Sequence, residues 1–103
     1  MDGLTHGQVW WADVDKVRPV VLLTRAAVAP MLHRVVVAPI TTTVRGIRTE
    51  VAIGELEGVR AGSVANLDNV QLLPVDRLLA LAGQVADDCW PEFCAAMAKM
   101  MAC

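Results

Sequence analysis

Apolar and polar positions alternate over short stretches of this chain, and glycines, prolines and small polar clusters break the pattern repeatedly. Such a rhythm belongs to short β-strands joined by turns. Gly7-Gln8-Val9-Trp10-Trp11-Ala12-Asp13-Val14 opens on a breaker and runs into β-favouring residues, which predicts a first strand. Beyond the brief Asp15-Lys16-Val17 connection, Arg18 precedes Pro19 and is thereby biased toward extended angles. Val20-Val21-Leu22-Leu23-Thr24 predicts a second strand, apolar on both faces and therefore central. Ala26 to Leu32 contains Pro30 and reads as a loop or a broken helical turn. His33 to Thr41 predicts a third strand, in which Pro39 marks an edge or a bulge.

Thr42 to Ile47 is polar, basic and glycine-bearing, as expected of an exposed loop. A fourth strand is predicted over Arg48–Ile53, ended by Gly54, and a glycine-flanked acidic link over Glu55–Gly62. Ser63–Leu67 and Val70–Leu73 predict a fifth and a sixth strand, Val75–Leu79 a short helical turn, and Leu81–Val85 a further short strand. The period then changes. Phe93, Met97, Met100 and Met101 recur at helical spacing with Trp90 one turn upstream, Asp87 or Asp88 can cap, and Pro91 is tolerated in a first turn. The expected architecture is a mainly β, small SH3-like curled antiparallel barrel over about residues 7–85. A C-terminal helix follows over about 88–101, all in a single domain spanning 1–103.

Composition narrows the class. With 55% hydrophobic and 19% charged residues, disorder is excluded. No stretch approaches the roughly 18–20 apolar residues of a spanning helix. Met1-Asp2-Gly3-Leu4 lacks the basic-then-apolar start of a signal peptide. Cys89, Cys94 and Cys103 are odd in number and crowded at the end, which suits a reducing cytoplasm rather than a disulfide framework. So apolar a chain of 103 residues also points to a homo-oligomer. The net charge is −2, yet residues 1–50 hold six Lys/Arg against four Asp/Glu and residues 51–103 hold three against seven. A polyanion would therefore meet the N-terminal half.

Candidate chemistry is concentrated at strand ends in that half. His6 and His33 are isolated, no metal-ligand spacing appears, and no phosphate-cradling glycine loop or nucleophile elbow is present. Arg18 stands at the mouth of a buried strand, and Thr41-Thr42-Thr43 ends another, with Arg45 and Arg48 close behind. Hydroxyls, backbone amides and bidentate guanidinium groups make a phosphate surface. Taken alone, the loop reads better as a solvated threonine-rich turn with two exposed arginines.

The ordered set Gly7-Gln8-Val9-Trp10-Trp11-Ala12-Asp13, Arg18-Pro19-Val20, Val35 to Thr42 with Pro39, Thr49-Glu50-Val51, and Ser63-Val64 with Asp68-Asn69-Val70 resembles the MazF/PemK family of toxin endoribonucleases. The resemblance runs over about residues 7–80. It implies the toxin of a toxin–antitoxin pair: a homodimeric, cytoplasmic, growth-arresting enzyme whose RNA groove a cognate antitoxin covers. It implies metal-independent, sequence-selective cleavage of single-stranded RNA, with no cofactor, to 2′,3′-cyclic phosphate and 5′-hydroxyl ends. The family's catalytic arginine and threonine fall on Arg18 and Thr41. Thr42, Thr43 and Arg45, then Lys16 and Asn69, are the candidate RNA contacts.

Two features vary the reading. Many relatives carry a longer, glycine-rich Ser-Glu-Gln stretch before the arginine; Asp15-Lys16-Val17 is shorter and offers no counterpart to its glutamate. A non-catalytic inhibitor on the same fold, resembling the gyrase-poisoning toxins, is the alternative, as is a homologue that binds RNA or antitoxin without cutting. Stacking of splayed bases would fall to Trp10 or Trp11, only one of which can face outward from a strand. Met97, Met100 and Met101 suit core burial ahead of a subunit contact.

Overall fold

The computed structural model describes residues 3–25, 31 and 33–101, so the loop expected over Ala26–Leu32 lies, Met31 apart, outside the described residues, as does Cys103. The strands are β1 (Gln8–Asp13), β2 (Val17–Leu22), β3 (Arg34–Thr41), β4 (Glu50–Ile53), β5 (Ser63–Asn66), β6 (Gln71–Pro74) and β7 (Leu78–Gln84), followed by helix α1 (Trp90–Met100). β2 starts earlier than expected because Arg18 and Pro19 are already extended and paired with Ala12 and Trp11 of β1. The helical turn expected over Val75–Leu79 contracts to a 3-10 turn, Val75–Arg77, and Leu78 and Leu79 join β7. Neither Asp87 nor Asp88 caps α1. Cys89 holds the N-cap position without a side-chain bond, and Pro91 lies in the first turn as expected. Among the described residues no helix is long and apolar enough to cross a membrane.

The strands form one antiparallel sheet in the order β4-β5-β3-β2-β1-β7, with β6 paired to β3 as well. The sheet curls as expected, but this path does not close into a hydrogen-bonded ring. β3 is the hub. Val37 pairs with Gln71 of β6 and Ile40 with Ala65 of β5, and Pro39 falls between these two partners while facing Val20 of β2. A residue without an N–H costs nothing where the ladder is already interrupted. The expected edge or bulge at Pro39 is thus a change of partner in a central strand.

β2 is buried on both faces, because successive residues point to opposite sides of the sheet. Val21 joins Val9, Ala38, Ile40, Ala65 and Leu67 in a core sealed by Phe93 and Ala96 of α1. Val20 and Leu22 join Leu4, Ala12, Val35, Val37, Leu73 and Leu78 in a second core. Trp10 packs on this second core, and its Nε1 donates to Gln8 Oε1 at 3.1 Å. One close approach shapes the region that follows β4. Gly58 has φ +83, and a side chain there would collide with the Ala82 carbonyl, as one at Gly83 would with that of Glu57. These glycines let the 3-10 turn Glu55–Glu57 lie directly on β7.

Candidate active site

Arg18 and Thr41 come from neighbouring strands. β2 and β3 pair Leu22 with Val37, Val21 with Ala38 and Val20 with Pro39, and Arg18 and Thr41 each lie two residues beyond the last of these pairs, at the same end of the two strands. Both side chains line two adjoining clefts at this end of the sheet. The first, of about 280 Å³, is bounded by Trp11, Lys16, Pro19, Ile40, Thr42, Val59, Arg60 and Ser63 as well. The second, of about 250 Å³, adds Pro39, Thr43, Arg45, Asn66 and Asn69. All of the residues singled out from sequence (Lys16, Arg18, Thr41, Thr42, Thr43, Arg45 and Asn69) therefore border one or both clefts.

Arg18 is largely covered, with 28% of its side chain exposed, and its Nη2 meets Asp15 Oδ1 at 2.9 Å and Oδ2 at 3.1 Å. Its Nε is buried with no hydrogen-bond partner among the described residues. A buried, unpaired donor on a permanently charged group is costly, and an incoming anion oxygen would relieve that cost. Asp15 also receives the Lys16 amide at 3.0 Å. Its own backbone amide holds its carboxyl below the usual carboxylate range, against an opposing effect of desolvation, with the Arg18 guanidinium adding a lesser lowering. Thr41 Oγ1 accepts from the Thr43 amide at 3.1 Å, which fixes the hydroxyl's acceptor side and leaves its hydrogen to donate.

The far wall is braced by a polar ladder. Asn66 Oδ1 accepts from the Asp68 amide at 3.0 Å, Thr49 Oγ1 bonds the Asp68 carboxylate, and the Leu67 amide donates to the Thr49 carbonyl at 2.9 Å. Asn69 sits at the end of this 3-10 turn. Sequence reasoning left out Trp11, Arg60 and Ser63, and considered only the first of them. Trp11 is the outward-facing member of the tryptophan pair, 38% exposed at the cleft. Arg60 is the one basic residue between Arg48 and Arg77, a charge signal inside an otherwise acidic link. Ser63, buried at the start of β5, donates to the Arg60 carbonyl at 2.6 Å. The site thus draws on both halves of the chain, not on the more basic half alone.

A curled antiparallel sheet with a C-terminal helix is the fold of a class of small bacterial toxins. Residues 5–101 match the model of the PemK-like, MazF-like toxins of type II toxin–antitoxin systems, and the chain belongs to that family. It is 53% identical over 64 residues to endoribonuclease MazF3 of Mycobacterium tuberculosis, a match spanning 62% of this chain and 62% of that relative. It is 37% identical over 101 residues to the probable endoribonuclease MazF5 of the same organism, covering 95% of this chain and 93% of the relative. Among solved structures, the Mycobacterium tuberculosis toxin MazF-mt6 superposes with a TM-score of 0.87 at 41% identity, covering 90% of this chain and 94% of that one. A mycobacterial endoribonuclease solved with its cognate antitoxin superposes at 0.86 with 29% identity, covering 95% and 94%.

Proposed function

We propose that this chain is the endoribonuclease toxin of a toxin–antitoxin pair, cutting single-stranded RNA by attack of a ribose 2′-hydroxyl on the adjacent phosphorus. The 2′ oxygen bonds to phosphorus, the bond to the 5′ oxygen breaks, and that oxygen leaves protonated, giving 2′,3′-cyclic phosphate and 5′-hydroxyl ends. The observation that carries the reading is the cross-strand placement of Arg18 and Thr41 at the junction of two clefts. Negative charge builds on the phosphoryl oxygens during attack. A guanidinium and a hydroxyl held on strand ends stabilise it without a metal and without reorganising. Arginine, permanently charged, serves as the charge stabiliser rather than the base.

Around that pair, Thr42, Thr43, Arg45, Lys16 and Asn69 hold the RNA backbone, Arg60 adds charge, and Trp11 offers a stacking face to a splayed base. The relative solved with its cognate antitoxin supports a like partner here, covering the same clefts, and the family membership supports a cytoplasmic homodimer. Incubation of the purified protein with total RNA in excess EDTA, followed by mapping of new 5′ ends, tests the reading. Cleavage at a short recurring sequence with 5′-hydroxyl ends is expected. Dependence on added Mg²⁺ overturns the metal-free mechanism, and intact RNA together with retained antitoxin binding points to the non-cutting homologue.

A further inference from the structure

The segment between β3 and β4, Thr42–Thr49, carries Thr43 and Arg45 to the second cleft but contains no helix or strand of its own. A single carboxylate organises it. Glu50 Oε1 accepts from the amides of Arg45 at 3.1 Å, Gly46 at 2.8 Å and Ile47 at 3.4 Å, and Oε2 accepts from Arg45 at 3.1 Å. The Glu50 amide returns a bond to the Ile47 carbonyl at 3.1 Å. Gly46 at φ +73 turns the backbone so that consecutive amides converge on one point. Converging backbone amides of this kind form an anion-binding nest, here filled by the protein's own carboxylate. Glu50 is the first residue of β4 and pairs with Asn66 of β5, so the nest is anchored to the sheet edge that walls the same cleft.

We propose that Glu50 is a positioning residue that fixes the Thr42–Ile47 loop so that Thr43 and Arg45 present their donors to the RNA. The inference rests on the endoribonuclease reading for its consequence but not for its geometry. It explains why a carboxylate stands beside a polyanion site. Charge alone would make Glu50 unfavourable there, since it repels phosphate. Ordering the loop before RNA arrives offsets that repulsion, because the conformational cost is met during folding rather than on binding. The two effects have opposite signs and can be separated.

Glu50→Gln removes the charge while keeping the size. If charge dominated, RNA would bind more tightly. Positioning instead requires KM for a mixed-sequence single-stranded RNA to rise about tenfold, roughly the cost of fixing one backbone residue, with kcat held within about twofold. Amide hydrogen exchange at Gly46 and Ile47 should accelerate in the same variant while exchange in β2 and β3 is unchanged. Gly46→Ala, which strains φ without altering charge or meeting any neighbour within 4 Å, should raise KM in the same way and stands in if Glu50→Gln does not fold. A KM that falls or stays constant, a loss confined to kcat, or undisturbed exchange at both amides overturns the proposal. If the wild-type protein cuts no RNA, the cleavage reading fails on its own, and the exchange measurement still decides whether Glu50 holds the loop.

Discussion

The two ends of β2 are held by different forces. At one end Val20, Val21 and Leu22 are sealed between two apolar cores, and Phe93 of α1 closes one of them while stacking on Trp90 with ring centroids 5.0 Å apart. At the other end Arg18 and Thr41 line the same clefts among hydroxyls, carboxylates and backbone amides, and almost every bond there spans only a few residues. Apolar burial is non-directional and tolerates local repacking. The polar end works only if donors point one way, so it is stapled by short side-chain-to-backbone bonds and carried on strands that the cores hold rigid. Stability and function are thereby separated along one strand, and mutations should separate them too.

The largest expected effect is at the apolar end. Phe93→Ala should cost about 3–5 kcal/mol in denaturant unfolding, with the RNA-cleaving rate per folded molecule unchanged. A matching fall in the rate of the folded fraction would show that helix and site are not independent. Arg18→Ala is the converse. Cleavage should drop about 100- to 1000-fold with Tm nearly constant, and a retained rate would remove Arg18 from the reaction. Trp11→Ala should weaken RNA binding by about 1–3 kcal/mol and leave kcat close to wild type, as read by RNA titration and turnover on the same oligonucleotide. An unchanged affinity would leave Trp11 as a cleft wall only.

The smallest effect is on acidification. The Asp15 carboxyl titrates below its unfolded value of about 3.9, so its pairing with Arg18 is complete above that pH and is lost as the pH falls through the lowered folded value. Wild type and Asp15→Asn should therefore differ slightly in Tm at neutral pH and converge in strong acid. Because the carboxylate is exposed, the difference is small. Divergence on acidification would mean that Asp15 is held by something other than its amide bonds and Arg18.

Much of the fold was legible because strands announce themselves locally. The apolar run Val20–Leu22 predicted a central strand, and period-3.6 spacing from Trp90 predicted the helix that Phe93 seats. The errors arose where pairing overrode local preference. Pro39 reads as an edge until β3 is seen changing partners around it, and Leu78 and Leu79 read as helical until β1 claims them. At the site, Arg18 and the threonines stood out as polar groups ending apolar strands. Trp11 could not be told from Trp10, and Arg60 was hidden in an acidic link.

Residue order by itself determined which segments extend, which residues cap the strand ends, and which family the motifs resemble, since each of these depends on near neighbours in the chain. Tertiary structure alone decided that Arg18 and Thr41 share two clefts, that Trp11 rather than Trp10 meets them, that Arg60 reaches the first of them, and that Glu50 fills the loop's amides. Those are statements about register and curl. They are fixed by how the whole sheet buries its two cores, and no short stretch of sequence contains that information.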